Sequence, residues 1–453
     1  MFLGDVEMMN VTNRKIPSAR RMSPQQFLAF GFLGTILIGT ILLLLPISTH
    51  NPISLIDALF TSTSATTVTG LVVLDTGSDF TLFGQIVIML LIKIGGLGLM
   101  TFAVMIVLAL GRRIGLRERV LVQESFNQTS LGGMIRLVKV LFIFAFSVEA
   151  VATLLLSFYW IPTYGWGFGF FTSLFHSISA FNNAGFSLWD DSLSKYVGDP
   201  VVNIIIPFLF ITGGIGFTVI YDLIVTKTFR RLSLHTKLML TGTLVINLVA
   251  MLLIFALEYG NPATLGSLSS IEKMFASFFQ AVTPRTAGFN TIDIGSMNPA
   301  TITFFLLLMF IGAGSASTGS GIKLTTFIII VLAVYSYLRA RKESVIFERK
   351  IDNQIVIRAL SIVFISLTAV VTSIFLLSIT ESAPYLWIVF EAFSAFGTVG
   401  LSMGLTEELS FMGKQMIIIL MVIGRIGPVT LAFALAKSEY SHIRYPKGDV
   451  FTG

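Results

Sequence analysis

Long apolar runs alternate with short polar stretches along this chain of 453 residues. About eight of these runs carry few charges and reach the length, roughly 18 residues or more, at which a helix crosses the hydrocarbon core of a bilayer. We expect them to form eight spans arranged in four consecutive pairs. The pairs are approximately 26–47 with 81–110, 136–160 with 201–225, 237–257 with 301–337, and 356–379 with 411–436.

A shorter apolar piece lies between the two spans of every pair. The four pieces read "SLIDALFTSTSA", "FFTSLFHSISA", "IEKMFASFFQAV" and "LWIVFEAFSAF". About a dozen helical residues extend roughly 18 Å, which is too short to cross about 30 Å of hydrocarbon. We therefore expect each piece to form a re-entrant helix that enters the membrane and turns back.

A glycine-centred loop follows each short piece: "ATTVTGL" (65–71), "AFNNAGF" (180–186), "TPRTAGF" (283–289) and "AFGTVGL" (395–401). This order of span, short helix, loop and span recurs four times, and such internal repetition indicates a repeat architecture. The predicted units are a basic N-terminal tail (1–24), repeats at 25–115, 130–230, 231–342 and 354–437, and a C-terminal tail (438–453).

The orientation of the repeats follows from the basic residues. These cluster at 14–21, 112–139, 227–237, 339–358 and 437–447, whereas the intervening loops are poor in Lys and Arg. Basic loops stay in the cytoplasm, so both termini are expected there, and the N-terminal stretch is predicted to be a retained tail, not a signal peptide. All four repeats then point the same way, which disfavours an inverted-repeat transporter.

The predicted fold class is therefore an all-α integral membrane protein. Four parallel repeats, with eight transmembrane and four re-entrant helices, are expected to surround a central ion pore in a pseudo-fourfold arrangement. The composition agrees, because 54% of the residues are hydrophobic, only 12% are charged and the mean hydropathy is +0.87. Topology explains the net charge of +6, so nucleic-acid binding is not expected.

Composition also argues against catalysis. The chain has no cysteine, which excludes disulfides and thiol chemistry, and its four histidines show no metal-ligand spacing. These are His50, His176, His235 and His442. The spans contain no paired carboxylates and no Ser/His constellation, so we expect a protein that is not an enzyme and that binds no metal beyond K⁺ and Na⁺.

The four loops are the candidate ion filter. Non-helical backbone is tolerated in a membrane where protein or a watery cavity satisfies it, and a ring of carbonyls can replace the water around a monovalent cation. Glycine enters the positive-φ region without steric cost, which lets the carbonyls turn toward an axis. The alternative is that these small residues only allow close helix packing. The predicted filter residues are Val68, Thr69, Gly70, Asn183, Ala184, Gly185, Thr286, Ala287, Gly288, Thr398, Val399 and Gly400.

The four loops have only one glycine position in common, where a longer filter has a Gly-Tyr-Gly run. Few layers of backbone carbonyls can therefore align around the axis. We expect one or two sites for a dehydrated ion, and therefore softer selectivity. Thr69, Asn183, Thr286 and Thr398 are expected to brace their own loops by local hydrogen bonds.

The candidate gate lies in the third and fourth repeats. Residues 312–321 are all Gly, Ala, Ser or Thr, which suits an unwound segment below the filter better than a continuous helix. Arg425 lies inside the last span, where an arginine is costly and by default functional, and its charge would repel a cation. The alternatives are a small-residue packing seam and an arginine tied to backbone carbonyls. The predicted gate residues are Gly312, Gly314, Ser315, Ser317, Thr318, Gly319, Gly321, Lys323 and Arg425.

Two further charges are unusual. Arg285 lies in the filter stretch itself, so we expect its side chain to turn away from the pore and to pair with a carboxylate, Glu272 or Glu391, behind the filter. Lys93 falls near the middle of a span. The sequence names no partner for Lys93, and its role is open.

The four loops, together with "FIGAGSASTGSGIK" (310–323), "IGRIGP" (423–428) and "IRYPKGDVFTG" (443–453), resemble the pore-forming subunits of bacterial Ktr potassium uptake systems. These belong to the Trk/Ktr/HKT superfamily, and the resemblance covers essentially the whole chain. It implies K⁺ uptake across a bacterial plasma membrane, with Na⁺ activating or coupled as in a symporter. It also implies that relatives use the segment at 312–321 as a gate.

The resemblance further implies partners. These are a second copy in a homodimer with one pore per protomer, and a cytosolic RCK-type ring that binds ATP or ADP, so the nucleotide is expected on the ring and not on this chain. The basic stretches at 339–358 and 437–453 are candidate docking sites for the ring or for anionic membrane lipids. The alternative function is a Na⁺-coupled carrier of a small organic solute.

Overall fold

The computed structural model describes residues 24–98, 134–341 and 343–427. The two predicted tails, apart from Pro24, lie outside these ranges, as do the ends of the spans expected at 81–110 and 411–436. The boundaries of the four repeats stay predictions.

The described residues are mostly helical. The first half contains α1 (Pro24–Leu43), α2 (Leu55–Thr67), α3 (Leu82–Leu97), α4 (Met134–Tyr164), α5 (Trp166–Phe181), α6 (Pro200–Gly214) and α7 (Phe217–Val225). The second half contains α8 (Leu234–Glu258), α9 (Ser270–Val282), α10 (Pro299–Phe310), α11 (Leu324–Leu338), α12 (Asn353–Thr380), α13 (Tyr385–Gly397), α14 (Leu405–Glu408) and α15 (Phe411–Ile426). Two 3₁₀ turns lie at Ser194–Tyr196 and Phe229–Arg231.

Four of the described helices are long and apolar enough to cross a membrane: α1, α4, α8 and α12. Each begins one of the expected pairs of spans. Large apolar side chains on these helices, such as Ile41, Leu244 and Phe364, are exposed. In an aqueous environment the hydrophobic effect would drive these side chains into the protein interior. Their exposure therefore suits helix faces that contact lipid.

The predicted short helices are confirmed at all four places. They are α2, α5, α9 and α13, which contain 13, 16, 13 and 13 residues. At about 1.5 Å per residue they extend roughly 20–24 Å, short of the hydrocarbon thickness. The longest, α5, begins a few residues before the predicted start, after Gly165 separates it from α4.

Three of the four second spans were expected to be continuous helices, and the third, at 301–337, was expected to be interrupted at 312–321. The span at 201–225 is broken into α6 and α7, which meet at 93°. The span at 301–337 is broken between α10 and α11, as predicted. In the first and last pairs, α3 and α15 end at Gly98 and Gly427, with φ of 84° and 90°. Glycine at positive φ stops a right-handed helix, which explains these ends.

One short β-hairpin interrupts the all-helical pattern. Strands β1 (Ser344–Ile346) and β2 (Arg349–Ile351) pair antiparallel between α11 and α12. The two turn residues, Phe347 and Glu348, have φ of 48° and 59°. Positive φ at both central residues is the geometry of a type I′ turn, which matches the twist of the strands. The hairpin lies within the basic stretch at 339–358 and was not predicted.

The buried apolar residues form four main clusters. Each cluster contains residues of two short helices together with residues of longer helices, as Ala58 of α2, Phe175 of α5 and Ile88 of α3 do in one of them. The other three join short helices in the same way: Phe181 with Phe279, Ala276 with Phe390, and Ala392 with Phe60. This arrangement fixes each short helix, and hence the loop that follows it.

Glu258, at the end of α8, ties the loop that follows α8 to the start of α10. Its fully buried carboxylate accepts hydrogen bonds from the Asn298 amide (2.9 Å), Asn261 Nδ2 (2.7 Å), Thr264 Oγ1 (2.7 Å) and Thr301 Oγ1. Hydrogen bonds to a charged acceptor contribute more than neutral ones.

Replacing Glu258 with Gln is expected to lower the free energy of unfolding by about 2 kcal/mol or more, because an amide nitrogen would then face donors. The measurement is the thermal unfolding midpoint of the purified protein in detergent. The control is Glu407→Gln, an exposed carboxylate that should change stability by less than about 0.5 kcal/mol. Equal midpoints for both variants would contradict the prediction.

Candidate ion-conduction site

The four loops share an unusual backbone pattern. In each, a non-glycine residue in the left-handed region lies two positions before the shared glycine. These residues are Val68 (φ 58°), Asn183 (58°), Thr286 (76°) and Thr398 (47°), and the glycines are Gly70 (88°), Gly185 (69°), Gly288 (79°) and Gly400 (90°). A left-handed non-glycine residue costs about 1–2 kcal/mol, and such strain concentrates at functional sites.

The amide between the two left-handed residues points back to the short helix. The Thr69, Ala184 and Val399 amides each donate 2.8 Å hydrogen bonds to the last turn of their helix, and the Ala287 amide donates to Thr283 at 3.0 Å. A trans peptide places its N–H and C=O on opposite sides. The carbonyls of the four left-handed residues are therefore directed away from their own helices.

The four glycines meet one another in a closed ring. A Cβ atom built on Gly70 would lie 3.0 Å from the Cα of Gly185, and one on Gly185 would lie 2.9 Å from that of Gly288. The ring continues at 3.4 Å from Gly288 to Gly400, and closes at 3.0 Å from Gly400 to Gly70. Only glycine leaves room for this approach of four backbones.

The loop side chains form fewer hydrogen bonds within their own loops than expected. Thr69 Oγ1 does bond within its own loop, to Thr67 Oγ1 at 2.7 Å. Asn183 Nδ2 instead donates to Thr286 Oγ1 of the neighbouring loop at 3.1 Å. Thr398 Oγ1 is buried without a hydrogen-bond partner in the described part of the chain. The prediction of local bracing is thus wrong for three of the four residues.

The segment between α10 and α11 is non-helical, as its composition predicted. It is bonded to the break between α6 and α7: the Gly314 amide donates to Gly214 at 2.8 Å, and the Phe217 amide donates to the Ala316 carbonyl at 2.7 Å. The segment also closes on itself, since the Gly312 amide donates to Ile322 at 2.8 Å. The breaks in two repeats therefore satisfy each other's backbone groups, as non-helical backbone inside a membrane requires.

The same segment lies against the loops of the second and third repeats. Thr318 Oγ1 lies 3.4 Å from Asn183 Oδ1, and a Cβ atom on Gly319 would collide with Thr286 Oγ1. Lys323 folds back onto its own segment, where its Nζ donates to the Gly319 carbonyl at 2.8 Å. The predicted gate residues are thus in direct contact with the predicted filter residues.

Arg425 joins this segment to the end of α3. Its Nη1 donates to the Thr318 carbonyl and to Ser320 Oγ (3.0 Å), and its Nη2 donates to the Gly95 carbonyl. Backbone carbonyls are the partners that the structural alternative for Arg425 expected. Two of these acceptors belong to residues 312–321, so the contacts also hold the predicted gate segment in place. The gating role itself stays a prediction.

The predicted partner of Arg285 is wrong. Arg285 is buried and its Nη1 donates to Asn247 Oδ1 on α8 at 3.0 Å, with no carboxylate within ion-pair distance in the described ranges. Glu272 caps the opposite end of α9, where it accepts from the Ser269 amide. Glu391 instead accepts from Ser402 Oγ (2.8 Å) and Thr406 Oγ1.

Lys93 has a partner that the sequence did not reveal. Its Nζ forms a buried ion pair with Glu149 on α4, and Glu149 Oε1 accepts from Asn182 Nδ2 at 3.1 Å. Asn182 directly precedes the filter residue Asn183. The spacing of 56 residues between Lys93 and Glu149 has no helical periodicity, so only the packing of α3 against α4 and α5 brings them together.

Residues 2–443 match the TrkH family, whose description is cation transport protein. The chain therefore belongs to the TrkH family of cation transport proteins and is a membrane transporter, not an enzyme.

Individual relatives agree with this assignment. The chain is 63% identical to the Ktr system potassium uptake protein B of Bacillus subtilis, over 98% of this chain and 100% of that protein. It is 37% identical to the potassium/sodium uptake protein NtpJ of Enterococcus hirae, over 96% and 98%. The structure of the potassium transporter TrkH from Vibrio parahaemolyticus has the same fold, with a TM-score of 0.69 at 21% identity over 90% of this chain and 85% of that one.

Proposed function

We propose that this protein takes up K⁺ across a bacterial plasma membrane through a filter formed by the four glycine-centred loops. The closed ring of Gly70, Gly185, Gly288 and Gly400 carries the proposal, because it brings together four loops whose left-handed residues direct their carbonyls away from their own helices. A ring of carbonyls can hold a dehydrated alkali cation. The four loops then belong to four parallel repeats around one pore, each with two spans and one re-entrant helix.

The gate of this pore is the segment at 312–321 together with Arg425. The segment packs against Asn183 and Thr286, so it lies next to the ion path, and Arg425 adds a positive charge there. A fixed positive charge in a low-dielectric channel raises the free energy of a passing cation. Moving the segment or the guanidinium would open the path.

Potassium is the proposed substrate because the two relatives named above as uptake proteins, at 63% and 37% identity, both carry potassium in their names. The name of the Enterococcus hirae relative also includes sodium. Na⁺ is accordingly proposed to activate or accompany K⁺ uptake. Both termini are proposed to lie in the cytoplasm, where the basic stretches belong.

The proposed partners are a second copy of the chain and a cytosolic RCK-type ring that binds ATP or ADP. The hairpin between α11 and α12 supports a docking role for the stretch at 339–358, because it presents exposed Val345 and Phe347 among basic residues. Anionic lipids are the second proposed contact of such basic stretches.

The test is ion flux in proteoliposomes that contain the purified full-length chain. K⁺ influx down an imposed gradient is expected, and it is expected to rise when Na⁺ is present. The control is liposomes that contain Gly288→Ala, in which the ring of glycines is disrupted. Absence of K⁺ flux, together with Na⁺-driven uptake of an organic solute, would reject the proposal in favour of the carrier.

A further inference from the structure

The buried pair Lys93–Glu149 has no part in the proposed filter or gate. Both residues lie on membrane helices, and their side chains are only 7% and 5% exposed. Ionised groups inside a membrane are expensive and are usually functional. An ion pair that only filled space could be replaced by apolar residues at little cost, so its presence here requires a reason.

The contacts of Glu149 lead to the filter. One carboxylate oxygen, Oε2, accepts from Lys93 Nζ, and the other, Oε1, accepts from Asn182 Nδ2 at 3.1 Å. Asn182 Nδ2 also donates to the Ile178 carbonyl at 2.8 Å. The Asn182 amide is therefore held at two points, immediately before the left-handed residue Asn183.

The surroundings of Asn182 leave it little freedom. A Cβ atom built on Gly96 would lie 2.7 Å from the Cβ of Asn182, so α3 packs directly on this side chain. Lys93 Nζ lies 4.2 Å from the centre of the Phe146 ring and 5.9 Å from that of Phe181, the last residue of α5. Lys93 thus contacts both the helix that carries Glu149 and the end of the short helix.

From Asn182 the chain of contacts reaches the ring. Asn183 Nδ2 donates to Thr286 Oγ1 at 3.1 Å, and Asn183 Oδ1 faces Thr318 Oγ1 of the gate segment at 3.4 Å. A small rotation of Asn182 would move the Asn183 carbonyl, which is one of the four that the filter directs away from the helices. Groups that orient the metal-binding residues of a protein by hydrogen bonds typically change the metal affinity about 10–100-fold when they are lost.

We infer that Glu149, held by Lys93, is a positioning residue that sets K⁺ selectivity through Asn182. The inference rests on the proposed function, because it assumes that the loops bind K⁺. Glu149 Oε1, which accepts the hydrogen bond from Asn182, matters for selectivity, and Lys93 keeps this carboxylate in place.

Three variants separate the acceptor from the charges. In Lys93→Glu/Glu149→Lys the ion pair is kept, but Asn182 Nδ2 faces a donor. In Lys93→Gln/Glu149→Gln the charges are removed, yet the new side-chain amide on α4 can still accept from Asn182 while its nitrogen donates to the new amide on α3. Asn182→Leu removes the donor and leaves the native ion pair intact.

The measurement is the ratio of K⁺ to Na⁺ flux in proteoliposomes, with size-exclusion profiles to verify folding. The charge swap and Asn182→Leu are each expected to lower the ratio about tenfold, whereas the double glutamine variant should keep it. Combining Asn182→Leu with the swap should add no further loss, since both interrupt one contact.

Other outcomes overturn the inference. An unchanged ratio in Asn182→Leu rejects it even if the swapped protein does not fold. Equal losses in the swap and the double glutamine variant would mean that the charges matter and the acceptor does not. Absence of K⁺ flux in the unmodified protein would instead reject the proposed function, and the inference with it.

Discussion

Gly288→Ala is expected to lower the preference for K⁺ over Na⁺ about tenfold or more, and to reduce K⁺ uptake with it. The new methyl group would lie 2.9 Å from the Cα of Gly185 and would collide with the Val399 carbonyl, so two neighbouring loops must move apart. Position 288 also has φ of 79°, which an alanine adopts at a cost of about 1–2 kcal/mol. Losing about 1.4 kcal/mol of ion binding already changes affinity tenfold.

Gly165→Ala is the matched control for this experiment. Gly165 has nearly the same φ, 81°, but a Cβ atom there would meet no atom within 4 Å. Gly165→Ala should therefore lose stability through strain and keep the ion preference. A second control, Gly34→Ala, has neither strain nor a collision.

The comparison identifies the cause of any loss. Selective damage in Gly288→Ala alone assigns the effect to the contact between loops. If Gly165→Ala and Gly288→Ala changed ion preference equally, backbone strain at a distance would explain both, and the ring of glycines would lose its proposed role.

Arg425→Gln is expected to raise K⁺ uptake about tenfold in proteoliposomes without any regulatory partner. By Coulomb's law with an effective dielectric constant of about 20, a unit charge opposes a cation roughly 8 Å away by about 2 kcal/mol. The substitution also removes the fork of donors that links Thr318, Ser320 and Gly95. Both effects favour an open path.

Arg425→Lys separates charge from hydrogen bonding. Lysine keeps the positive charge but cannot reproduce the planar, multidentate contacts of the guanidinium. Low flux in this variant would show that repulsion closes the pore, and high flux would show that the clamp does. Lys414→Gln is the control, because this cation pairs with Asp57 at 2.7 Å, away from the gate segment. Uptake unchanged in both Arg425 variants would remove the gating role.

The sequence predicted the elements whose pattern repeats. All four short helices were predicted to within a few residues, because apolar runs about a dozen residues long followed by a glycine loop leave few alternatives. The break between α10 and α11 was also predicted, since a run dominated by Gly, Ser and Thr disfavours a continuous helix. Composition alone decided that the chain spans a membrane.

The break at Gly216 was missed because its surroundings stay apolar and resemble an ordinary span. Its cause is tertiary: the Phe217 amide bonds to Ala316, which belongs to a different repeat. Such long-range pairing leaves little trace in local composition. The hairpin at β1 and β2 was missed for a different reason, because basic residues had already explained that stretch as a cytoplasmic loop.

The residues of the candidate site stay a prediction, and several of their contacts differ from those that the sequence led us to expect. Charge rules favour a carboxylate as the partner of a buried arginine, and Asn247 satisfies Arg285 without one. Glu149 was not predicted as a partner of Lys93, because the rest of its span has the composition of an ordinary membrane helix. The residues two positions before the glycines are Val, Asn, Thr and Thr, so the sequence did not reveal their common left-handed backbone conformation.

That lack of a common residue type has a consequence for how such a protein changes over time. When identical subunits assemble around an axis, one altered codon modifies every wall of the passage at once. In the proposed filter, which one chain forms, a single substitution at Val68 or Thr398 would alter one side and leave the other three untouched. Natural variation could then adjust the proposed ion binding in small, one-sided steps.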